Sequence, residues 1–501
     1  MKKNIFKVVL FAVLAAPAFT SCELDQYPTT SIPNEESWMK TSDAENFRNY
    51  IMQTIRSFST QGYYSSDYYV DYFQPGLAFG NRNGQAYSWQ FISTDTEGTW
   101  SSNYAYIANI NNYINNCDGV SPKLEDYDSE EEYNADVKKL EQFKAEAYFA
   151  RAWAYFNMAI RYCKDYEPET AGTDLGLPLV KEVDINAKPA RATLEETFAL
   201  IRSDIAEAQK LVNADEALGT DVVSPVVIKC LLARVALWMH DYQVAYDTAN
   251  EIIGTPGLTL IDNVDDLVAQ FSEGGVEQIF VPAMNPDERA EWSGTVFSFS
   301  SSSSAFQPDM IPAKSTIDAY DLGDIRFQAF FTSVDVNEND NTATVYLFNK
   351  FKNNPALNQQ GDSPYALYNS PAAFRLPEFY LIAAEAAYRL NDNRNAAALL
   401  NTLRTSRNVE ASNATDGDPL FNAIKNEWKL EYIGEGQRLF GLKRWHDGFA
   451  RSTAAQDPSV VYQTNPEKFI GLSITPDNYR WVWEIPSNDL ETNKNLVPNW
   501  Q

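Results

Sequence analysis

Apolar positions along the chain recur mainly at steps of three and four, the spacing of one helix face. The longest such run is Val137, Leu140, Phe143, Ala147, Ala150, Ala154 and Met158, and Ser129 with Glu132 forms a capping box in front of it. A second box, Thr193 with Glu196, opens Phe198, Ile201, Ile205, Ala208 and Leu211. Ser224-Pro225 is an N-cap and first-turn pair opening a helix through Leu231, Val235 and Trp238. Tyr242 to Ile253 is its partner, stopped by Gly254-Thr255-Pro256-Gly257. Pro377 opens Tyr380 to Leu390, Asn395 to Arg407 follows, and Asp418-Pro419 caps a last helix expected to reach Trp445. The helices come in pairs across short polar turns, Asp241-Tyr242 and Asn391-Asp392-Asn393, with small residues such as Ala245, Ala249 and Ala397 set against large ones. Such offsets resemble degenerate tetratricopeptide hairpins.

Between the helices lie irregular stretches without a period. Ser59 to Trp100 is rich in Tyr, Gly, Asn and Ser; Pro282 to Pro312 contains five consecutive serines. Asp335, Asn337 and Asn339 have the first spacings of a calcium loop, but Asp340 and Tyr346 occupy the positions that need Gly and Glu. A hairpin turn before a strand from Thr344 to Phe348 is expected there instead.

Composition sharpens the picture. The 501 residues carry 40 basic and 68 acidic side chains, a net charge of −28, which repels phosphate backbones and argues against nucleic acid. Aromatics make up 13%, enough for stacking surfaces besides a core. The two histidines, His240 and His446, lie far apart in helical surroundings and form no metal or triad motif; a Walker loop, GxGxxG, HExxH and GxSxG are all lacking. The chemistry therefore points to a binder, with no cofactor and no catalytic residue expected. A glycosidase-like hydrolase built on some carboxylate pair is the remote alternative.

The N-terminus reads as an export signal. Lys2, Lys3 and Lys7 precede an uncharged apolar run from Val8 to Phe19, too short for a mature membrane span. Phe19-Thr20-Ser21-Cys22 then resembles a bacterial lipobox, which makes residues 1–21 a signal peptide and Cys22 the lipidated residue. Cys117, Cys163 and Cys230 are expected as buried free thiols, being odd in number and each set in an apolar helical pattern.

Several of these pieces together resemble the SusD/RagB family of surface nutrient-binding lipoproteins. Besides the lipobox, Trp100, Tyr104, Ile107 and Asn111 match its early helix pattern. Glu146 to Phe156 (EAYFARAWAYF) and Gly176 to Val180 (GLPLV) are similar to its central motifs. Asn426 to Trp445 (NEWKLEYIGEGQRLFGLKRW) is similar to its closing signature, and Trp483 to Pro486 with Asn493, Asn495 and Asn499 to its tail. The residues of that signature read as scaffold, with Glu435 and Arg438 spaced to pair on one helix face.

The resemblance implies a mostly α, SusD-like fold: four tetratricopeptide-like hairpins packed against a loop-rich region with a few short strands. An N-terminal region at 22–220 and a C-terminal region at 221–501 would form one compact unit. It implies an outer-membrane lipoprotein facing the exterior and seated on a SusC-like TonB-dependent barrel transporter. The ligand would be an oligosaccharide, or a peptide as in the RagB branch. Ligand binding is expected in the irregular aromatic segments, since a sugar offers an apolar face to a ring and hydroxyls to polar neighbours. Asp67, Tyr68, Tyr69, Arg82 and Trp89 in the first segment, and Trp292 and Phe297 in the second, are the expected site.

Overall fold

A computed structural model describes the chain from Trp38 to Trp500, except residues 61–64, 80–83, 183, 185, 217, 219–221, 290–294, 364 and 463–470. Helices dominate. Glu130–Tyr162 is the axis, 33 residues or about 50 Å at 1.5 Å per residue. Ser129 caps it as the spacing predicts, its Oγ accepting from the Glu132 amide at 3.2 Å. From Gln142 onward most of its side chains are buried, because Thr41–Thr60, Ser93–Asn116 and Leu194–Leu211 all pack around it. The pair Pro225–Trp238 and Tyr242–Ile253 continues the row, followed by Leu376–Arg389 with Asn393–Ser406, then Gly417–Glu431 with Gln437–Arg444. Fully buried alanines on facing helices, Ala233 and Ala245 for example, let the backbones approach closely. Cys117, Cys163 and Cys230 are free and buried, as expected. No described helix is long and apolar enough to cross a membrane.

The helices stop in a common way. His240, Asn391, Asn408 and His446 each adopt a left-handed backbone, φ between 54° and 63°, one or two residues past a helix end. In each case the amide of the following residue bonds back across the last turn, as with Asp241 N to Ala236 O at 2.9 Å and Asp447 N to Leu442 O at 2.9 Å. This is the Schellman arrangement with His or Asn where glycine is commonest. Both histidines are thus accounted for as helix stops.

The closing helix departs from expectation. It breaks after Glu431 and restarts at Gln437, because Gly434 and Gly436 turn the chain with φ of 83° and 71°. A Cβ on Gly434 would stand 2.3 Å from the Phe348 ring, so only glycine fits. The break aims Glu431 and Glu435 inward. Glu435 does not pair with Arg438; it binds Lys350 at 2.5 Å and Arg375 at 2.6 Å, while Arg438 pairs with Asp71 at 3.0 Å. Glu431 receives Arg326, Arg375 and Arg407 within 3.1 Å, all with fully buried side chains or nearly so.

Strands fill the insertion between the first and second of these short-helix pairs. Phe331–Glu338 and Asn341–Phe348 form an antiparallel hairpin in register from Phe331↔Phe348 to Glu338↔Asn341. Its turn residues Asn339 and Asp340 both have positive φ, 51° and 66°, so the spacing read as a hairpin is one. Ala305–Phe306 adds to this pair through Phe306 beside Val336, and Phe299–Ser300 adds to that. The tail is pinned by its asparagines: Asn493, Asn495 and Asn499 donate to the carbonyls of Pro189, Lys188 and Tyr162 at 2.7–2.9 Å.

The helix stops are testable at exposed His446. A left-handed backbone costs an L-residue roughly 1–2 kcal/mol, and more if it is β-branched. His446→Gly is expected to leave urea stability unchanged or slightly raised, whereas His446→Val lowers it by about 1 kcal/mol or more.

Candidate ligand-binding surface

The first aromatic segment turns inward. Ser65–Tyr69 is a short 3₁₀ turn in which Asp67, Tyr68 and Tyr69 are all buried. Asp67 Oδ2 accepts from the Gly434 amide at 2.6 Å, tying this turn to the broken closing helix. Burial pushes the Asp67 pKa up to about 8 against the pull of the Gly434 and Gly436 amides, so the group is a neutral acid over much of the neutral range. Asp71 is different: burial opposes its charge, but Arg438 and Lys429 hold its carboxyl below the usual range. The buried Arg451 donates to the carbonyls of Tyr68, Val70 and Tyr87 and lies 3.7 Å from the Tyr87 ring centre.

Trp89 is 4% exposed. Its Nε1 donates to the Tyr69 carbonyl at 2.5 Å, and its ring packs edge-on against Trp481, centroids 4.8 Å apart, with Phe449 and Phe91 beside it. Asp67, Tyr68, Tyr69 and Trp89 therefore do not stand as an open platform. They join the loop region to the closing helix and the C-terminal tail. Arg82 and Trp292 lie outside the described residues, as does Cys22.

The second segment behaves otherwise. Phe297 is buried beneath the sheet with Ile311, Val336 and Leu347. Beyond it, Phe299 and Phe306 face each other across the two short strands, rings 5.3 Å apart, each only partly buried. Tyr365 lies on Phe299 in a parallel stack, centroids 3.8 Å and planes 20° apart, and is 42% exposed. Phe306 closes the group at 6.0 Å from Tyr365. These three rings make a ledge at the sheet edge. The loop that carries Tyr365 also carries Asp362, which holds Arg289 in a two-pronged ion pair, and Tyr368, whose ring lies 4.0 Å from the Arg289 guanidinium. Sequence analysis missed Tyr365: it stands 66 positions from Phe299, beyond the serine-rich segment, and no local pattern links the two.

The geometry of helix pairs around a loop-and-sheet insertion is shared with known proteins. A profile of the SusD family matches residues 290–501, and one described as starch-binding, associating with the outer membrane, matches residues 30–237. A SusD-like protein of Formosa agariphila is 22% identical, with 88% of this chain and 91% of that protein covered. The crystal structure of a SusD superfamily protein from Bacteroides vulgatus superposes with a TM-score of 0.73 at 20% identity, covering 92% of this chain and 99% of the other. Surface glycan-binding protein A from Bacteroides thetaiotaomicron gives 0.70 at 15% identity, covering 93% and 100%.

The chain belongs to the SusD/RagB family. The structure gives physical content to its SusD/RagB motifs. Arg151 of the central helix binds Asp204 in a buried two-pronged pair and donates to Asn111 Oδ1 at 2.8 Å. Tyr104 and Asn111 donate to the carbonyls of Pro178 and Val180, which fixes the GLPLV segment against the early helix. In the closing signature, Arg444 pairs with Glu385, and the Trp445 Nε1 donates to the same carboxylate at 2.9 Å.

Trp89 tests the inward placement of the first segment. Trp89→Ala is expected to cost about 3–5 kcal/mol of stability by leaving a cavity among Tyr69, Phe449 and Trp481; an unshifted melting transition contradicts core packing.

Asp67 tests it through pH. Its folded pKa is raised, so between about pH 4 and about pH 8 the folded protein holds a proton that the unfolded chain has released. Its contribution to stability must therefore fall as pH rises through that window. Asp67→Asn keeps the acceptor for Gly434 and removes the slope. Urea midpoints compared at about pH 5 and about pH 9 are expected to show the variant gaining on the wild type at the higher pH.

Proposed function

We propose that this protein is a cell-surface lipoprotein that captures oligosaccharides on the Phe299–Phe306–Tyr365 ledge and delivers them to a SusC-like TonB-dependent barrel. The stacked Phe299–Tyr365 pair carries the reading: an exposed ring backed by a second ring is a stiff apolar surface of the kind a sugar face covers. Arg289 and Asp362 on the adjoining loop supply polar partners for hydroxyls. The ledge uses other residues than those expected for the second segment: Phe297 is buried beneath the sheet, and Trp292 lies outside the described residues. Family membership and a structural neighbour described as surface glycan-binding support a carbohydrate ligand. Structural neighbours described as a sugar-binding and a surface glycan-binding protein support binding without turnover. Cys22 would carry the lipid anchor and hold the protein on the outer face of the outer membrane.

The test is a pull-down of the mature protein against a polysaccharide panel and a peptide pool, with the co-purifying barrel identified. Recovery of a glycan and a TonB-dependent barrel is the expected result. Recovery of peptides alone would move the protein to the RagB-like alternative, and steady product release from a bound glycan would make it a hydrolase. Within this test, Tyr365→Ala is expected to weaken glycan binding about five- to tenfold, as the loss of one stacking ring worth roughly 1 kcal/mol or more. Its melting temperature should hardly move, because Tyr365 is a surface ring.

A further inference from the structure

We propose that Glu338 is a pH-sensitive latch that fastens the tip of the Phe331–Glu338 and Asn341–Phe348 hairpin to the first loop segment and lets go as the medium turns alkaline. The latch stands without the reading of the aromatic ledge; only its effect on ligand capture rests on that reading.

The hairpin is held at its two ends. At its root, Phe331 and Phe348 belong to the main core. From there the first strand runs 8 residues, about 25 Å, to Glu338. In between, Val336, Val345 and Leu347 do not join that core; they pack with Phe297, Ile311 and Val460 in a small cluster of their own. Small separate clusters of this kind open locally at lower cost than a main core.

At the tip three separate stretches of chain meet. Glu338 is fully buried, and its Oε2 accepts from the Ala78 amide at 2.6 Å. Around that contact the Gly76 amide donates to the Asp309 carbonyl and the Leu77 amide to the Val460 carbonyl, each at 2.8 Å. The junction is closed: a Cβ on Gly76 would stand 2.5 Å from the Pro308 carbonyl oxygen and 3.1 Å from Glu338 Oε2. The other carboxyl oxygen, Oε1, is buried without a hydrogen-bond partner.

A buried carboxyl stays charged only with several donors or a cation beside it. Glu338 has one amide, and among the described residues no lysine or arginine forms an ion pair with it. Residues 76–79 bring no titratable group to the tip, and residues 307–309 bring Asp309, whose charge opposes a second one. Residues 460–462 bring only the Tyr462 phenol; Asp335 and Asp340 of the hairpin are exposed, and Asp457 is held by Ser459. Burial raises the Glu338 pKa to about 7 against the pull of the Ala78 amide, with Asp309 adding to the rise. Between about pH 4.5 and about pH 7 the closed tip therefore holds a proton that an opened tip gives up. Closing is favoured most at the acid end of that window and weakens as pH rises through it. The ledge feels this because Phe306 pairs with Val336, two residues before Glu338, so a tip that opens loosens the strand that carries the ring.

Amide hydrogen exchange on the ligand-free protein, corrected for the intrinsic rise of exchange with pH, tests the latch. Opening at Ala78 and along residues 334–338 is expected to grow about tenfold or more between about pH 5 and about pH 8, while Glu130–Tyr162 keeps its protection. Glu338→Gln keeps an acceptor for Ala78 and cannot ionise, so its opening should be flat over the same range. Asp67→Asn should leave the slope at Ala78 intact, which separates the latch from the other buried acid. The wild type alone decides if the glutamine variant does not fold: equal opening at both pH values, or a rise shared by Glu130–Tyr162, overturns the proposal. So does a slope that persists in folded Glu338→Gln or vanishes in Asp67→Asn. Because no ligand is present, these outcomes stand whether or not the ledge binds a glycan.

Discussion

Glu431 is the residue on which the loop-bearing half of the molecule depends. Three guanidinium groups, from Arg326, Arg375 and Arg407, converge on its carboxylate inside the protein. Burial alone would raise its pKa; Arg407, Arg375 and Arg326 instead hold it well below the usual carboxylate range. Around it, Arg407 also binds Glu277, Arg326 binds Asp324 and Glu427, and Arg375 shares Glu435 with Lys350. The charges come from six separate parts of the chain, around Glu277, Arg326, Lys350, Arg375, Arg407 and Glu431. Desolvating so many ions is expensive, and their mutual attraction offsets that cost only when every partner is in place. Removing one member leaves buried charge without compensation, so the network acts as a registration device between the helical row and the insertion.

From this centre the loops are laid down in order. The break at Gly434 and Gly436 exists so that Glu431 and Glu435 can both face inward, and the same break presents the amide that Asp67 accepts from. Lys429 and Arg438, on either side of the break, clamp Asp71. Arg451 then gathers three carbonyls of the first aromatic segment. The segment that composition marked as a binding surface is thereby consumed as a joint. The aromatic ledge stays at the surface: Phe299–Ser300 is the edge strand of its sheet, and Tyr365, stacked on Phe299, is exposed.

The helical core and the ledge show two ways of placing aromatic groups. On the ledge, rings stack and polar partners stand beside them. In the helical core, rings pack against one another: Trp428 lies 5.3 Å from Tyr432, and Trp238 packs on Phe156. A shallow apolar shelf suits a flat, hydroxylated chain.

What the sequence determined by itself was local. Capping residues lie within a few positions of the groups they satisfy, so Ser129, Thr193 and Ser224 marked helix starts correctly, and Asn339-Asp340 marked a hairpin turn. The family motifs added the mostly helical fold. What only the tertiary structure decided was which aromatic residues face water and which charges meet. Ser59 to Trp100 has no period, so no face could be assigned to Trp89 or Tyr69; Trp89 is covered by Trp481 and Phe449 and Tyr69 by Trp483, all from the far end of the chain. Glu435 and Arg438 had the spacing of a helical pair, but a left-handed glycine at 436 removes the helix that would bring them together. Their true partners, Arg375 and Asp71, are 60 and 367 positions distant, and an attraction between such groups leaves no mark on the local pattern of either.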